Sequence, residues 1–158
     1  MPREIERRFL ALPSVLPWCT QGSEIEQGYL RADGRITVRV RVADGGAVMT
    51  VKGPRHGCAR VEFESEVPMD RALALLNRVP DHMRVRKTRY RIERSGLIWE
   101  VDVFSGPNAG LIIAEVEIDD PLQPISIPEW VAFEVTSESR YSNSHLARNP
   151  FALWANAA

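Results

Sequence analysis

The sequence predicts an α+β fold that is mainly β, in which antiparallel strands close into a barrel with a charged interior and a few flanking helices. Three observations support this prediction. Short segments alternate between charged and apolar residues, turn signals such as Asp44-Gly45 separate them, and whole segments specialise in one sign of charge. Because no repeat or linker divides the chain, we expect a single domain over residues 1–158.

Composition limits the partners. The 158 residues include 20 Lys plus Arg against 21 Asp plus Glu, which gives a net charge of -1. No general basic excess is available to bind nucleic acid or an anionic membrane. Cys19 and Cys58 lack a zinc-ligand spacing, so we predict reduced thiols. The charged amino terminus and the lack of an apolar run of about 18 residues predict a cytoplasmic protein with no membrane partner.

The strands are read from period-two alternation, which places successive side chains on opposite faces. We predict seven of them from this pattern, at 4–10, 35–42, 47–52, 60–67, 87–92, 99–103 and 111–118. In each strand one face is apolar and the other carries ionised groups. The charged face bears Glu4, Glu6, Arg8, Arg39, Arg41, Lys52, Glu62, Glu64, Lys87, Arg89, Glu115 and Glu117.

Two interpretations of the charged face remain open. An antiparallel sheet can expose a charged face to water, and alternation alone favours that reading. However, Arg39 and Arg41 are both basic whereas Glu62 and Glu64 are both acidic, and like charges two residues apart repel. A closed barrel would relieve this repulsion by facing acidic strands toward basic ones across its interior.

Four segments depart from the strand pattern. Residues 69–79 are the clearest helix, because Met69, Leu73 and Leu76 recur at helical spacing and Pro80 ends the segment. A second helix is expected at 138–147. Prolines restrict the other two helical segments, 11–17 and 128–133, to about a turn.

The charged face has the chemistry of a metal and phosphate site. Two glutamates one residue apart present their oxygens on one side of a strand, where Mg²⁺ or Mn²⁺ binds. Basic pairs at the same spacing offer several donors to phosphate oxygens. Metal-bridged polyphosphate is a ligand that needs both.

These residues resemble the CYTH superfamily of triphosphate tunnel metalloenzymes, over essentially the whole chain. The matching motifs follow in the family's order: Glu4-Ile5-Glu6-Arg7-Arg8, Gln27-Gly28-Tyr29-Leu30, Val38-Arg39-Val40-Arg41, Thr50-Val51-Lys52-Gly53, Glu62-Phe63-Glu64, Lys87-Thr88-Arg89-Tyr90, Trp99-Glu100-Val101-Asp102 and Ala114-Glu115-Val116-Glu117, with Glu134-Val135-Thr136 and Arg140-Tyr141-Ser142-Asn143 at the end.

The resemblance implies an eight-stranded antiparallel tunnel that hydrolyses triphosphates with Mg²⁺ or Mn²⁺. The short bacterial members closest in pattern act on inorganic tripolyphosphate, which implies a small-molecule triphosphate substrate. A class IV adenylate cyclase or a thiamine triphosphatase on the same fold stays open, as does a non-catalytic module that binds polyphosphate or nucleotides. The family signature has lysine where this chain has Arg8, which keeps the charge but cannot give up a proton.

We assign roles as hypotheses on this resemblance. Glu4, Glu6 and Glu117 would hold the metal that bridges the phosphates, and Glu62, Glu64 and Glu115 a second metal or the attacking water. The expected phosphate-binding residues are Arg8, Arg39, Arg41, Lys52, Lys87 and Arg89, and the expected catalytic residues are Arg8, Tyr29, Lys87 and Glu64. Tyr29 would orient Lys87 or the water.

The remaining polar residues receive supporting roles. Glu100 and Asp102 are expected to hold the arginines, and Arg140 with Tyr141 to plug one end of the tunnel. We interpret Arg60, near a strand end, as part of an ion pair without a ligand. The aromatic residues of the apolar face, Phe9, Phe63, Tyr90 and Trp99, are expected to lie under helices or in a homodimer interface.

Overall fold

The computed structural model describes residues 3–33 and 35–154. Its strands are β1 (Arg3–Ala11), β2 (Ser23–Ala32), β3 (Thr37–Ala43), β4 (Gly46–Lys52), β5 (Ala59–Glu66), β6 (Val85–Arg94), β7 (Leu97–Ser105), β8 (Ile112–Glu117) and β9 (Val131–Glu134). They form one sheet in the order β5-β4-β3-β2-β6-β7-β8-β1-β9, and pairing of β5 with β1 closes it. The predicted eight-stranded antiparallel barrel is confirmed.

β1 changes its neighbour along one edge. Its first residues pair with β5, with Glu4 opposite Arg60, whereas its last residues pair with β9, with Leu10 opposite Phe133. The other edge pairs with β8. β9 therefore satisfies the backbone groups of β1 that lie beyond its pairing with β5. The helix that we predicted at 128–133 is wrong, because after Pro128 the chain turns and pairs with this edge as β9.

The turn before β3 shows why that strand begins later than predicted. The Oδ1 atom of Asp33 accepts hydrogen bonds from the backbone N–H groups of Arg35 and Ile36, each at 3.0 Å. Such a side-chain-closed turn withdraws these residues from the ladder. β3 therefore starts at Thr37 and not at residue 35.

Helix α1 (Met69–Leu76) lies on the outside of the barrel, as predicted, although it ends three residues before Val79. Ala72 and Leu76 are buried in a cluster with Val40 and Ala47. Gly28 on β2 permits this close approach, since a Cβ there would lie 3.1 Å from a methyl group of Leu76. The sequence thus uses one glycine to seat the helix.

The carboxy-terminal segment is broken into short pieces. The helix predicted at 138–147 consists of a 3₁₀ turn (Ser139–Tyr141) and helix α2 (Asn143–Arg148), which begins where the Ser142 hydroxyl accepts a hydrogen bond from the His145 N–H. A further turn, α3 (Phe151–Trp154), follows and was not predicted. Residues 11–17 were expected to be helical and form a 3₁₀ helix over Pro13–Trp18.

The core lies outside the barrel wall and not within it. The rings of Phe9, Trp99 and Trp130 pack in sequence with centroid distances of 5.5 and 5.6 Å, and all three are buried. Covered aromatics on this side confirm the predicted apolar outer face. Phe63, on the outer face of β5, is 47% exposed. Cys19 and Cys58 are free thiols, as predicted.

Across the described ranges, 3–33 and 35–154, the structure contains no helix with the length and apolar character required to span a membrane.

Candidate active site in the barrel interior

The charged faces of the strands enclose a cavity of about 260 Å³. All of the predicted site residues line this cavity except Lys87. The lining residues from the prediction are Glu4, Glu6, Arg8, Tyr29, Arg39, Arg41, Lys52, Glu62, Glu64, Arg89, Glu115 and Glu117. The alternative of a sheet with its charged face in bulk water is therefore excluded.

Strand register brings opposite charges together. Lys52 of β4 is opposite Glu62 of β5, and its Nζ atom lies 3.2 Å from the Glu62 Oε2 atom. On another pair of adjacent strands, Arg8 of β1 is opposite Glu115 of β8. Closure of the sheet places β1 between β5 and β8, so three strands that carry glutamates lie side by side. Alternation within a single strand cannot predict this arrangement.

We call Glu4, Glu6, Glu62, Glu64, Glu115 and Glu117 the acidic wall. Burial, with Glu62 and Glu6 close by, raises the pKa of Glu4 to about 9. Burial and the neighbouring Glu115 raise the pKa of Glu6 to about 7. Burial opposes ionisation of Glu62 too, but hydrogen bonding with Glu4 and the charge of Lys52 lower its pKa to about 2. Part of the wall is thus protonated at neutral pH.

Glu115 is the carboxylate of the wall that stays charged although it is buried. Burial would raise its pKa, but Arg8 and Arg89 lower it below the usual range. The Arg8 Nε atom is 3.4 Å from the Glu115 Oε1 atom, and the Arg8 Nη2 atom donates to the Tyr141 carbonyl at 2.7 Å. Arg8 therefore joins β1 both to β8 and to the carboxy-terminal segment.

We call Arg39 and Arg41 of β3 the basic side of the cavity, and a hydrogen-bonded chain fixes Arg41. Arg41 Nε donates to Gln27 Oε1 at 2.9 Å, and Gln27 Nε2 donates to the Tyr29 hydroxyl at 2.7 Å. Burial and the nearby Arg39 lower the pKa of Arg41 to about 10, while burial raises the pKa of Tyr29. Tyr29 was expected to orient Lys87 or water, but its partner in the structure is Gln27.

Arg39 is less fully satisfied. Its Nη2 atom donates to the Thr50 hydroxyl at 2.9 Å, whereas its Nε atom is buried without a hydrogen-bond partner. The guanidinium thus keeps a donor for an oxygen ligand in the cavity.

Lys87 differs from the prediction because it lies behind the cavity wall. Its Nζ atom is 2.6 Å from the Asp102 Oδ2 atom and donates to Asn143 Oδ1 at 3.0 Å. Arg89 donates to both oxygens of Asp102, at 2.7 and 2.9 Å. As predicted, Asp102 holds an arginine. We call Lys87, Asp102 and Arg89 the buried ion cluster; within it the Lys87 ammonium contacts Asp102 and Asn143 and does not line the cavity in which we expected it to bind phosphate.

Burial governs protonation in this cluster. It lowers the pKa of Lys87 to about 7, an effect that Asp102 only partly offsets. Burial would raise the pKa of Asp102, but Lys87 and Arg89 lower it below the ordinary value. Asp102 is thus the carboxylate that neutralises the cluster.

The sequence analysis missed Arg55 and misread Arg60. Arg55 lies in the loop between β4 and β5, with Nη2 3.9 Å from the Glu6 Oε1 atom. Arg60 lines the cavity and donates to the Gly53 carbonyl at 3.0 and 2.7 Å. Loops carry no alternation, so the only sequence signal for Arg55 is a basic residue between Gly53 and Gly57.

The carboxy-terminal segment covers one end of the barrel. Three of its residues line the cavity: Ser142, Asn143 and Ser144. They follow directly after Arg140 and Tyr141, the residues that we predicted to plug the tunnel. Tyr141 is buried beside Arg8, but Arg140 points outward, with its guanidinium 4.9 Å from the centre of the Trp154 ring. The Tyr141 side chain packs in an outer hydrophobic cluster with Phe104 and Leu146 and lines no part of the cavity, so neither Arg140 nor Tyr141 fills the end of the tunnel as predicted.

The acidic wall suits a hard divalent cation. Glu4 Oε2 and Glu62 Oε2 are buried without a hydrogen-bond partner, and carboxylate oxygens are the donors that such cations prefer. In the described ranges, no three His, Cys, Asp or Glu side chains are already drawn together into a metal-binding group. The oxygens are present, but they are engaged with each other and with Lys52.

Comparisons with known proteins agree with this architecture. The CYTH domain model matches residues 2–149. An inorganic triphosphatase of Acetivibrio thermocellus is 38% identical over 96% of this chain and 97% of its own, and one of Nitrosomonas europaea is 33% identical over 91% and 96%. The crystal structure of an inorganic triphosphatase superposes with a TM-score of 0.64 at 31% identity, covering 90% of this chain and 96% of that chain.

Proposed function

Because the chain belongs to the CYTH family, we propose that it hydrolyses inorganic tripolyphosphate to pyrophosphate and orthophosphate with Mg²⁺ or Mn²⁺. The observation that carries the proposal is that the acidic wall and several arginine and lysine side chains line the same cavity. A ligand that is polyanionic and also binds metal can neutralise both sets of charges. The names of the similar proteins support the same substrate.

Carboxylates of the acidic wall would hold the cation. Glu4, Glu6 and Glu117 are proposed for the phosphate-bridging metal, and Glu62, Glu64 and Glu115 for a second metal or the water. When bound, the cation neutralises phosphate charge and so favours attack on phosphorus. The raised pKa values of Glu4 and Glu6 mean that metal binding releases protons.

The basic residues of the cavity would bind the phosphate oxygens. Arg8, Arg39, Arg41, Lys52 and Arg89 can donate to them as charge moves onto the leaving oxygen, and this electrostatic stabilisation dominates phosphoryl transfer. Arg41 is held by Gln27 and Arg89 by Asp102, so their donors are positioned before substrate arrives.

We propose Glu64 as the base that orients the water. Neighbouring Glu62 and then burial raise its pKa, which brings the carboxylate nearer to the range of an effective general base. The water oxygen bonds to the terminal phosphorus, the bridging P–O bond breaks, and the water proton passes to Glu64. Arg8 cannot give up a proton to the leaving group. Pyrophosphate would therefore leave unprotonated by Arg8, with its negative charge balanced by the basic side chains and the metal ion.

Product analysis tests the proposal. Tripolyphosphate, pyrophosphate, ATP and thiamine triphosphate are incubated with Mg²⁺, with Mn²⁺ and with a chelator. We expect one pyrophosphate and one orthophosphate per tripolyphosphate, and no turnover with chelator. Cyclic AMP from ATP would identify a cyclase, preferred cleavage of thiamine triphosphate would identify that activity, and tight binding without turnover would identify a binding module.

We further propose a cytoplasmic enzyme that binds no nucleic acid and pairs with a second copy through the outer face that α1 leaves uncovered. Val51 and Phe63 are 39% and 47% exposed there, opposite each other on β4 and β5. Light scattering is expected to give a dimer mass, and Phe63→Ser a monomer mass. A wild-type monomer contradicts the pairing.

A further inference from the structure

A second cavity of about 220 Å³ adjoins the first at the end of the barrel covered by the carboxy-terminal segment. The two share Arg8, Thr37, Arg55, Arg60, Ser142 and Ser144. The shared side chains form the boundary between the two cavities, so an extended ligand that displaces their flexible ends can reach from one cavity into the other. At about 30 Å³ per water, the second cavity holds roughly seven waters, enough for a phosphoryl group with its shell.

The two cavities differ in their carboxylates. The first contains the acidic wall, whereas Glu138 is the single carboxylate lining the second among the described residues, and it is exposed. The second cavity therefore lacks the oxygens that a divalent cation needs. It is built to meet negative charge directly through protein donors.

The boundary between the two cavities includes a guanidinium N–H donor that has no hydrogen-bond acceptor. Arg55 Nη1 is buried with no hydrogen-bond partner, and Arg60 donates to the Gly53 carbonyl. Burial and the charge of Arg55 lower the pKa of Arg60, so these two guanidiniums repel one another. An anion between them would relieve that repulsion.

Residues of the carboxy-terminal segment complete the cavity. Ser139 and His145 line it, and Arg148, which donates to the Ser144 carbonyl, stands at its outer side. None of these three lines the first cavity. The segment thus adds hydroxyl, imidazole and guanidinium groups beyond the place where the metal-binding carboxylates end.

We propose that this second cavity binds the distal phosphoryl group of a condensed phosphate longer than tripolyphosphate, without a metal ion. The inference rests on the proposed function for the site that holds the other three phosphoryl groups. It assigns chain-length preference to Arg55, Arg60 and Arg148, and it makes tetrapolyphosphate a substrate that the protein binds more tightly than tripolyphosphate.

The test compares tripolyphosphate with tetrapolyphosphate in wild type, Arg148→Ala, Ser139→Asp and the control Arg140→Ala, which alters the same segment outside both cavities. We expect Arg148→Ala to lower kcat/KM for tetrapolyphosphate relative to tripolyphosphate by about fivefold, as suits an exposed charge contact. Ser139→Asp should lower the ratio further by repulsion, and Arg140→Ala should leave it unchanged.

Calorimetry in metal-free buffer separates this inference from the proposed function. Tighter binding of tetrapolyphosphate, weakened selectively by Arg148→Ala, supports the second subsite even if neither compound is cleaved. Equal affinities in wild type, undetectable binding of both compounds, or equal losses for both compounds in Arg148→Ala overturn the subsite. Loss of cleavage with selective binding retained overturns only the proposed hydrolysis.

Discussion

The acidic wall and the buried ion cluster lie in the same barrel and use the same residue types, yet their charges are satisfied in different ways. In the cluster, Asp102 is fully buried and meets both Lys87 and Arg89 at hydrogen-bond distance. In the wall, Glu4 and Glu62 share a single cation, Lys52, whose Nζ atom lies 3.8 and 3.2 Å from their Oε2 atoms, and neither of these buried oxygens has a hydrogen-bond partner. The contacts of Asp102 are thus complete within the protein, whereas the wall keeps buried oxygens to which a ligand can bind.

The largest expected effect is on activity. Glu4→Gln removes a proposed metal ligand, and we expect kcat/KM for tripolyphosphate to fall by about 10³-fold, the scale seen when one transition-state contact is lost. The fold should persist, because a pKa of about 9 keeps the Glu4 carboxyl neutral at pH 7 without metal, and glutamine has the same shape and charge as that form. Steady-state kinetics and the urea midpoint measure the two outcomes. Glu66→Gln, on β5 but outside the cavity, is the control, and an active Glu4→Gln enzyme contradicts the assignment.

Asp102→Ala should show the opposite pattern, with stability as its main loss. Removing this carboxylate leaves buried cations unpaired, which costs about 3 kcal/mol of unfolding free energy. Urea unfolding measures the change. Glu134→Ala, which breaks an exposed ion pair with Arg7, should cost less than about 1 kcal/mol. Equal losses of unfolding free energy in the two variants would show that the buried ion cluster stabilises the fold no more than an exposed ion pair does.

The pH dependence of stability tests the cluster further. Folding lowers the pKa of Lys87 to about 7 from an ordinary value of 10.5, so between these values the unfolded chain binds more protons than the folded one. Lys87 therefore makes stability rise with pH over this window. Relative to Lys87→Met, wild type should gain about 2 kcal/mol between pH 7 and 9, at ~1.4 kcal/mol per pH unit. Parallel urea-stability curves for the two proteins would refute this.

The smallest expected effect concerns the hydrogen-bonded chain on the basic side. Tyr29→Phe removes the hydroxyl that Gln27 bonds and loosens the hold on Arg41. One hydrogen bond contributes about 1 kcal/mol, which corresponds to about a fivefold loss in kcat/KM. Tyr90→Phe on the outer face is the matched control. No difference between the two variants would remove Tyr29 from the positioning chain.

Alternation predicted the lumen residues well because the side-chain period of a strand is independent of what the strand pairs with. Glu62, Glu64, Glu115 and Glu117 fall in the cavity for this reason. Alternation does not show, however, whether a side chain on the inner face lines the cavity or is buried behind its lining. It could not show that Asp102 places Lys87 behind the wall, since that depends on contacts between neighbouring strands and on Asn143.

Regions without a strand period were predicted less well. Arg55 lies in a loop, and residues 128–133 contain the start of β9, whose formation is decided by the free edge of β1 and not by local sequence. β2 entered the prediction only through the family resemblance of Gln27-Gly28-Tyr29, because its outer face includes the glycine that seats α1. Tertiary partners therefore decided the elements that propensity missed.

The three neighbours of β1 have a consequence for the order of assembly. β1 bonds to β5, β8 and β9, and the paired residues are separated by at least 54, 103 and 120 positions along the chain. Such distant pairings are the slowest to form, so the strand that carries Glu4, Glu6 and Arg8 is secured last. During synthesis, Glu6 and Arg8 cannot meet Glu117 and Glu115 until the residues of β8 have left the ribosome.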